Sequence, residues 1–381
     1  TRMHLRYEHF LNGFICTLPN EYTPRLLNRT AALVLESLDK GKTVGETIDY
    51  LQSLYPNAEP LIRADVESLL LRLIQLKMVQ PRQSTRRHQH ARFVPPAPST
   101  WTAAYFSAPD RVQIAPTSAC NLRCRHCYVP GIDRSSTMMT LEDYKHILDR
   151  LDKLGVHVIE LSGGEPFLNP YIYDMIEYTA ALDFSLIVFT NATLLEDVDL
   201  TALVQHVSEF IVSIDGLETY HDQFRGVKGA FRKSMQAIKR IKDAGGHVKV
   251  SFSVNHENEP FIDEVKREVT GWGVDGFLCA PAAPVGNAKL FRYTVEDYRR
   301  LIQVCDSAMS HSGREWRYAE LPRSYSCAAG KRYLYISPDG DVYPCPLFAT
   351  ERFRIGHLPT DDLEQLWHES KVLEIFRRIE V

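Results

Sequence analysis

The stretch CNLRCRHCY at residues 120–128 contains three cysteines, separated by three and then by two residues. It follows an apolar run at Val112–Ala115 that has the composition of a buried strand. Three thiolates on one loop can hold three irons of a cubane and leave the fourth iron without a protein ligand, whereas a structural metal site needs a fourth ligand nearby. His126 stands between two of the cysteines, which favours a side chain that points away. The spacing therefore predicts a [4Fe–4S] cluster with one open iron on Cys120, Cys124 and Cys127.

Strand-like runs continue beyond this loop and alternate with amphipathic helical segments. The six runs are Val112–Ala115, His157–Leu161, Leu186–Thr190, Phe210–Ile214, Val248–Val254 and Gly276–Ala280. Repeated βα units predict a parallel sheet with right-handed crossovers, and six of them predict an α/β fold based on a partial (β/α)6 barrel. In such barrels the chemistry lies at the carboxyl ends of the strands, where the cysteine loop also falls.

The cysteine spacing, with an aromatic residue after the third cysteine, resembles the radical S-adenosylmethionine (SAM) superfamily, and the resemblance extends through residues 111–290. It implies that SAM binds the open iron and is cleaved to a 5′-deoxyadenosyl radical, which abstracts hydrogen from a substrate carbon. The cofactor supplies this chemistry, and the protein orients it and excludes water.

Four further segments carry the resemblance. SGGEP at 162–166 resembles the Gly-Gly-Glu motif, in which glycines allow close approach to the SAM amino group and a carboxylate suits the ammonium. TNAT at 190–193 is similar to the ribose-side turn, with Ala192 in place of the usual glycine, and SIDG at 213–216 and HDQFRG at 221–226 resemble the fourth-strand region. The resemblance implies that Ser213 lies near the SAM ribose or carboxylate and that Arg225 pairs with that carboxylate. The full set of expected SAM-binding residues is Tyr128, Gly163, Gly164, Glu165, Asn191, Ser213, Asp215 and Arg225.

The C-terminal segment, residues 312–381, carries Cys327 and Cys345 on either side of a predicted hairpin. Together with Gly340 they resemble the start of the auxiliary-cluster extension called SPASM, or of its shorter form, the twitch domain. The resemblance implies a small α+β domain in which Cys327 and Cys345 bind an auxiliary iron–sulfur cluster. Because both forms carry more cysteines, we expect either that the sequence continues beyond Val381 or that the cluster has been lost, and we favour the first.

Three cysteines lie outside these motifs. Cys305 shares a predicted helix face with apolar residues and is expected to be a core thiol. Cys279 ends the sixth strand, so it is either a core thiol or a hydrogen-atom donor or ligand that faces the barrel mouth. Cys16 lies in the N-terminal hairpin and is expected to be structural.

Residues 1–80 predict a hairpin around Asn12-Gly13 and then three short helices, a winged-helix-like module. The hairpin and the helix starts near Thr30 and Thr43 resemble the PqqD-like peptide recognition element, which implies that a leader peptide adds as a strand at the hairpin edge beside a helix. A DNA-binding winged helix would need a basic recognition helix, and the segment 66–76 has Arg72 as its only basic residue.

Residues 81–110 have no amphipathic period and contain PPAP at 95–98, which predicts a linker between the module and the barrel at 111–311. A His-x-His metal site at His88 and His90 is the less favoured interpretation of this segment.

Composition excludes several classes of protein. The chain has 381 residues, a formal net charge of −4 and eight cysteines, so it has neither a global basic field for nucleic acid nor the cysteine density of a disulfide scaffold. It contains no apolar run of membrane-spanning length and no signal-peptide pattern, which predicts a cytoplasmic protein with no membrane partner.

Together these features predict a radical SAM oxidoreductase that modifies a ribosomally made precursor peptide, with a [4Fe–4S] cluster, SAM and an auxiliary cluster as cofactors. An electron donor such as flavodoxin or ferredoxin is the expected protein partner. A thioether crosslink is our first expectation, and a carbon–carbon or carbon–oxygen crosslink stays open. Epimerisation also stays open and would need Cys279 as hydrogen donor. The alternatives are a radical SAM enzyme for a small molecule or cofactor intermediate, and a non-catalytic iron–sulfur scaffold.

Overall fold

The computed structural model describes residues 4–8, 13–17, 25–27, 29–54, 62–63, 66–71, 92–94, 105–129, 137–311 and 327–379. The chain divides into two compact units, Thr1–Ser107 and Ala108–Val381. Within the described ranges, no helix combines the length and the apolar character that crossing a membrane requires. His88 and His90, the less favoured metal site, lie outside the described residues.

The first unit combines a small sheet with helices. Its strands are β1 (His4–Glu8), β2 (Gly13–Thr17), β3 (Arg25–Leu27) and β4 (Arg92–Val94), and its helices are α1 (Arg29–Asp39) and α2 (Val44–Leu54), with further helical residues at 62–63 and 66–71. Val34, Ile48 and Leu51 form a hydrophobic core with Ile62 and Val66. The predicted hairpin and helices are therefore present.

The sheet of the first unit has the strand order β3-β2-β1-β4. Strands β1 and β2 form the antiparallel hairpin, and β4 pairs with β1 in parallel. Strand β4 lies inside the segment that we predicted to be a linker, so that segment is not entirely without regular structure. A strand forms there because the edge of β1 offers unpaired backbone groups, which composition and period do not reveal.

The second unit is based on a ten-stranded sheet of order β11-β10-β9-β8-β7-β6-β5-β12-β13-β14. Its strands are β5 (Arg111–Thr117), β6 (Val158–Gly163), β7 (Ser185–Thr190), β8 (Glu209–Ser213), β9 (Val248–Val254), β10 (Gly276–Pro281), β11 (Ser310–His311), β12 (Tyr333–Ile336), β13 (Asp341–Tyr343) and β14 (Gly356–His357). Its helices are α3 (Leu141–Leu154), α4 (Ile172–Ala181), α5 (Leu200–Leu203), α6 (Glu218–Arg225), α7 (Ala230–Asp243), α8 (Ile262–Gly271), α9 (Val295–Ala308), α10 (Leu363–Glu369) and α11 (Lys371–Arg377). Short 3-10 turns occur at Pro166–Leu168, Glu259–Phe261, Gly286–Phe291, Pro346–Phe348 and Glu351–Phe353.

Strands β5 to β10 are parallel, lie side by side in chain order and are joined by helical crossovers. In the described residues β5 pairs on its other side with β12, and β10 pairs with β11, so the two ends of the six-stranded array do not pair with each other. The predicted partial (β/α)6 barrel is thus confirmed.

Helix α3 shows how local sequence sets these crossovers. The Thr140 hydroxyl accepts a hydrogen bond from the Asp143 amide at the first turn, and Gly155 ends the helix in the left-handed conformation at φ 86°. Between them, residues at helical spacing are buried on one face of the helix: Tyr144, Ile147, Leu148 and Leu151.

The predicted C-terminal hairpin, β12 and β13, continues the barrel sheet, because β12 pairs with β5 in parallel. Its turn requires glycine: Gly340 has φ 86°, and a Cβ there would lie 2.1 Å from the carbonyl oxygen of Leu358. The Leu358 amide in turn donates to the Gly340 carbonyl at 2.7 Å. The strand that carries the cysteine loop and the hairpin before Cys345 are therefore direct neighbours.

Candidate functional site

The cysteine loop, described as far as Val129, follows β5 and is held by two neighbouring segments. The amides of Arg123 and Arg125 each donate at 2.9 Å to the carbonyls of Arg225 and Phe224, at the end of α6. The side-chain amide of Asn287, in the turn after β10, donates to the carbonyl of Cys124 at 3.2 Å. Elements distant in sequence, at the end of α6 and after β10, thus position the loop.

The three thiols of this loop are half-buried and influence one another. Burial, with smaller contributions from Glu165 and the neighbouring thiols Cys124 and Cys127, raises the pKa of Cys120 to about 12, against the hydrogen bond from the Leu122 amide. Burial also raises the pKa of Cys124 and of Cys127, and for both Arg225 acts in the opposite direction. A buried cation beside a thiol favours the thiolate that a metal needs.

No group of three or more His, Cys, Asp or Glu side chains in the described ranges is arranged to hold a single metal ion. In a cubane each thiolate binds its own iron, so its sulfurs need not converge on one point. The three thiols lie on one loop, are half-buried and are close enough to influence one another's pKa, which is a donor set that suits a cubane with one open iron.

The two glycines at the end of β6, Gly163 and Gly164, lie against the start of the cysteine loop. A Cβ on Gly164 would lie 1.9 Å from the carbonyl oxygen of Ala119, and a Cβ on Gly163, at φ 109°, would lie 2.7 Å from that of Thr117. The amides of Gly164 and Glu165 donate to these carbonyls, at 3.0 Å to Thr117 and at 2.7 Å to Ala119. A close approach between protein backbones therefore demands glycine at both positions, and the expected approach of this backbone to SAM stays a prediction.

The carboxylate of Glu165 is occupied by protein donors. Thr190 Oγ1 donates to Oε1 at 2.7 Å, and the Asn191 amide donates to Oε2 at 2.8 Å. Burial raises the pKa of Glu165 to about 7, against these hydrogen bonds and that of the Phe167 amide. In the structure this carboxylate ties the end of β6 to the loop after β7. Its expected contact with the SAM ammonium stays a prediction.

The loop after β7 is linked to the cysteine loop through amides. Asn191 Nδ2 donates to Asn121 Oδ1 at 2.8 Å, and Asn121 Nδ2 donates to the Thr193 hydroxyl at 2.7 Å. Ala192, which replaces the usual glycine, has φ 59° in the left-handed region and is buried. It adopts the glycine geometry at a cost of about 1 kcal/mol. Sequence reasoning did not give Asn121 or Thr193 a role. The signal that could have found them is their position inside the motifs at 120–128 and 190–193, where an amide or hydroxyl side chain can bridge the two loops.

Asp215 is the centre of a buried network after β8. Arg225 contacts its Oδ2 through Nε at 2.8 Å and Nη2 at 2.6 Å, and the Ser253 amide donates to its Oδ1 at 2.8 Å. Burial acts to raise the pKa of Asp215, but Arg225 and His126 hold it below its usual range. Ser213 ends β8 opposite Ser251 of β9. The structure therefore shows Arg225 bound to Asp215, and its expected contact with SAM stays a prediction.

Two histidines flank this network, and sequence reasoning gave neither a role. His221 Nδ1 accepts from the Asp215 amide at 3.2 Å, and burial lowers its pKa to about 3. His126 stacks on Phe224 with 4.7 Å between ring centroids, and burial lowers its pKa to about 4. Both imidazoles are therefore neutral near pH 7.

A buried polar chain runs from Tyr128 toward the C-terminal cysteines. Gln113 Nε2 donates to the Tyr128 hydroxyl at 3.4 Å, the Tyr333 hydroxyl donates to Gln113 Oε1, and Glu160 accepts from Tyr333 at 3.3 Å. Burial raises the pKa of Tyr128, and the Cys345 thiol adds to this effect. The chain therefore links the residue after the third cysteine to β12, the first strand of the hairpin before Cys345.

The two C-terminal cysteines lie near each other. Cys327 and Cys345 are both half-buried. Burial raises the pKa of Cys345 to about 11, against the Leu347 amide, and Cys327 adds to the rise. The hairpin thus brings together the two residues that the sequence singled out.

Cys279 belongs to the core rather than to the barrel mouth. Its side chain is hydrogen-bonded to that of Cys305 on α9, and this contact, with burial, raises its pKa. Both residues are buried, at 6% and 2% exposure. Of the two interpretations of Cys279, the structure supports the core thiol; Cys16 has no described side chain.

Comparison with known families divides the chain in the same way as its motifs. Residues 114–266 match the radical SAM superfamily, residues 327–380 match the SPASM iron–sulfur cluster-binding domain, and residues 23–79 match coenzyme PQQ synthesis protein D (PqqD). The chain therefore contains a radical SAM domain, with a PqqD module before it and a SPASM domain after it. This radical SAM enzyme uses a [4Fe–4S] cluster, SAM and an auxiliary iron–sulfur cluster.

Individual relatives extend over most of this radical SAM enzyme. It is 26% identical over 372 residues to the antilisterial bacteriocin subtilosin biosynthesis protein AlbA of Bacillus subtilis (strain 168). The aligned region covers 92% of this chain and 78% of AlbA. It is 23% identical over 293 residues to an AdoMet-dependent heme synthase of Oleidesulfovibrio alaskensis, covering 68% of this chain and 75% of the synthase. In fold it is similar to Streptococcus suis SuiB bound to its precursor peptide SuiA, with a TM-score of 0.70 and 17% identity over 99% of this chain and 89% of SuiB.

The residues of this enzyme fit these cofactors. Cys120, Cys124 and Cys127 would hold the [4Fe–4S] cluster, and the loops after β6, β7 and β8 that converge on them would surround SAM. Once bound, the cluster and SAM supply a 5′-deoxyadenosyl radical for hydrogen abstraction. Cys327 and Cys345 would contribute to the auxiliary cluster. The protein holds these loops in place through Glu165, the Asn191 amide and the Asp215 network.

Proposed function

We propose that this radical SAM enzyme modifies a ribosomally made precursor peptide. The observation that carries the proposal is the presence of a PqqD module, a radical SAM domain and a SPASM domain in one chain. The bacteriocin biosynthesis role of AlbA and the precursor peptide bound to SuiB support it. The proposed role of residues 1–80 is to bind the leader, so that the core segment is presented to the barrel, residues 111–311.

The topology of the first unit refines where a leader would bind. We had expected it at the hairpin edge, but β3 pairs with β2 and β4 pairs with β1, so both edges of the hairpin are taken. Among the described strands, β3 and β4 are the outer ones. Helix α1 packs against β2 and β3. We therefore place the leader on the outer edge of β3, where strand addition would supply main-chain hydrogen bonds and α1 a neighbouring wall.

The modification that we propose is a crosslink, with a thioether from a cysteine sulfur to a peptide carbon as the first candidate. Its formation removes one hydrogen atom from the carbon, and one proton and one electron from the thiol, so a one-electron acceptor is required. The C-terminal site of Cys327 and Cys345 suits an acceptor, since its hairpin lies beside the strand of the cysteine loop. Epimerisation would instead need a hydrogen donor, and the candidate from sequence, Cys279, is a free thiol hydrogen-bonded to Cys305 in the core.

The test uses the full chain, reconstituted anaerobically with iron and sulfide. It is incubated with dithionite, SAM and a synthetic peptide that matches the short reading frame beside the gene. We expect 5′-deoxyadenosine together with a peptide product lighter by two hydrogens, and a matched Cys124→Ala variant that gives neither. Tandem mass spectrometry then distinguishes a thioether from a carbon–carbon or carbon–oxygen bond, and a product of unchanged mass would indicate epimerisation.

A small molecule is the second candidate substrate, and the similarity to an AdoMet-dependent heme synthase favours it. Binding of the peptide to the full chain decides between the two, because a small-molecule enzyme has no need of a leader site. If the peptide shows no measurable binding while SAM cleavage proceeds, the peptide proposal fails. A reconstituted protein that holds its cluster and releases no 5′-deoxyadenosine would be a non-catalytic scaffold.

A further inference from the structure

The backbone around Cys124 is fastened to the segment that carries Arg225. The amides of Arg123 and Arg125, on either side of this cysteine, donate at 2.9 Å to the carbonyls of the last two residues of α6. In the residue that follows α6, a Cβ on Gly226 would lie 2.8 Å from the carbonyl oxygen of Arg123. The end of α6 and the middle cysteine of the loop therefore hold a fixed position relative to each other.

The guanidinium of Arg225 lies between a cysteine of this loop and a buried carboxylate. Its Nε and Nη2 contact Asp215 Oδ2 at 2.8 and 2.6 Å, which occupies two of the five N–H donors of the group. The guanidinium is also hydrogen-bonded to the side chain of Cys124. Both members of the ion pair are buried, with 8% of the Arg225 side chain and none of the Asp215 side chain exposed. Solvent ions therefore screen their charges little.

Asp215 is itself fixed by donors from β9 and from the turn after it. The Ser253 amide donates to its Oδ1 at 2.8 Å, and Asn258 Nδ2 donates to the Asp215 carbonyl at 3.0 Å. On its other side, His126 of the cysteine loop has its Nε2 at 3.7 Å from Asp215 Oδ2. The carboxylate therefore has a defined place, and through the ion pair it determines where the guanidinium lies.

At the thiols the effect of the cation exceeds that of the carboxylate. Burial raises the pKa of Cys124, and Arg225 opposes this rise more strongly than Asp215 adds to it. Burial also raises the pKa of Cys127, and Arg225 again opposes the rise. In the other direction, burial acts to lower the pKa of Arg225, but Asp215 and then the thiols of Cys124 and Cys120 hold it above its usual range. The ion pair therefore presents a net positive field to the three sulfurs.

We propose that Arg225 raises the reduction potential of the [4Fe–4S] cluster on the cysteine loop, and that Asp215 is a positioning residue that holds Arg225 in place and moderates the rise. The step concerned is the transfer of one electron from a reductant, which is oxidised, to the bound cluster, which is reduced. Hydrogen bonds to the cysteine sulfurs and the net charge around a cluster set its potential. The added negative charge is stabilised by the nearby cation and destabilised by the nearby carboxylate.

The two members of the pair predict shifts of opposite sign. Arg225→Gln removes the positive charge, so the equilibrium constant for one-electron reduction should fall about tenfold or more, which lowers the potential by about 59 mV or more. Asp215→Asn keeps the shape and an oxygen acceptor but removes the negative charge, so the cluster should become easier to reduce than in wild type. Arg225→Lys keeps the charge and should stay closer to wild type than Arg225→Gln. A merely structural role predicts no such reversal of sign.

The potential is measured on the full chain, reconstituted anaerobically with iron and sulfide, in the absence of SAM and peptide. The protein is titrated with dithionite in the presence of redox mediators, and the EPR signal of the reduced cluster is recorded at each potential. Since Cys124→Ala lacks a ligand of the cluster on the cysteine loop, its spectrum identifies the signal of the auxiliary cluster. Iron per chain is measured for each variant, so that potentials are compared only at full loading.

A second buried ion pair in the same sheet provides the matched control. Lys249 and Glu209 are 2.9 Å apart, with 5% and 3% of their side chains exposed. Lys249 lies four residues before Ser253 on β9, roughly 13 Å along the strand from the residue that bonds to Asp215. Lys249→Gln and Glu209→Gln make the same two charge changes there, and each should change the equilibrium constant for reduction by less than about threefold.

The inference is overturned if Arg225→Gln and Asp215→Asn shift the potential in the same direction, if neither shifts it, or if the control pair shifts it as much. If Arg225→Gln does not hold a full cluster, Asp215→Asn/Arg225→Gln replaces it, because the double variant leaves no buried charge unpaired. That variant should be harder to reduce than Asp215→Asn, and equal potentials would overturn the inference. Because the measurement uses neither SAM nor peptide, its outcome is independent of the expected SAM contact of Arg225 and of the proposed function.

Discussion

Substitution of Gly164 by alanine tests whether the glycine pair exists to admit the cysteine loop. The added Cβ would lie 1.9 Å from the carbonyl oxygen of Ala119. Since carbon and oxygen rarely approach closer than about 3.3 Å, that carbonyl must retreat by roughly 1.4 Å. The movement would also break the hydrogen bond of 2.7 Å from the Glu165 amide.

The expected cost follows from these two effects. Forcing one extra carbon into a packed backbone contact costs about 1–3 kcal/mol, and the lost hydrogen bond about 1 kcal/mol, so Gly164→Ala should lower the free energy of unfolding by about 2–4 kcal/mol. Because Ala119 precedes Cys120, iron bound per chain after anaerobic reconstitution should fall as well. Urea denaturation of the apoprotein and iron analysis measure the two effects separately.

A glycine that lies in open space provides the control. Gly271, at the end of α8, has no heavy atom within 4 Å of an added Cβ, so Gly271→Ala should leave iron binding unchanged and stability equal or slightly higher. If Gly164→Ala bound a full complement of iron with an unchanged free energy of unfolding, the close backbone approach would not be what the site requires.

Three further predictions concern the buried network and the loop after β7. Asp215→Ala should lower the free energy of unfolding by about 3–5 kcal/mol in urea denaturation, because it leaves the buried Arg225 without a counter-charge, and a loss below about 1 kcal/mol would contradict the pairing. The pKa of His221 is lowered to about 3 in the folded protein, whereas it is near 6.5 in the unfolded chain. As the pH falls from 6.5 toward 3, the unfolded chain binds a proton that the folded protein does not, so the free energy of unfolding decreases over that range. Relative to its own His221→Gln variant, the wild type should therefore lose about 2 kcal/mol between pH 7 and pH 5, and parallel pH profiles would refute this. Ala192→Val should lower the free energy of unfolding by more than about 2 kcal/mol in urea denaturation, because a β-branched side chain is strained at φ 59°. Ala192→Gly should stay within about 1 kcal/mol of wild type, and equal losses in the two variants would refute the left-handed conformation.

The tyrosine–glutamine chain connects the two cysteine sites of the enzyme. Tyr128 and Tyr333 stand on the two elements that carry the sites, and Gln113 of β5 bonds to both. A buried network of this kind stabilises a single arrangement only when each member is bonded. The placement of the C-terminal hairpin on the barrel sheet therefore depends on polar contacts as well as on strand pairing.

Much of the second unit was predictable from sequence because its signals are local. The strand of the first barrel unit was expected at Val112–Ala115 and is observed at Arg111–Thr117, and the apolar face of α3 is the one that its spacing indicated. Strand composition, helix caps and the cysteine spacing each depend on residues within a few positions of one another. The short strand β4 was missed because it forms only when β1 offers an edge to it.

The sequence by itself determined the parallel barrel, the cysteine loop and the glycine and polar loops at the strand ends, since apolar period and residue spacing decide which elements form and in what order they lie. Only the tertiary structure decided what each polar group bonds to. Glu165 accepts from Thr190 and Asn191, Arg225 pairs with Asp215, and Cys279 contacts a helix instead of the barrel mouth. The physical reason is that a hydrogen bond or an ion pair depends on atoms within about 3 Å, and folding brings those atoms from distant parts of the chain.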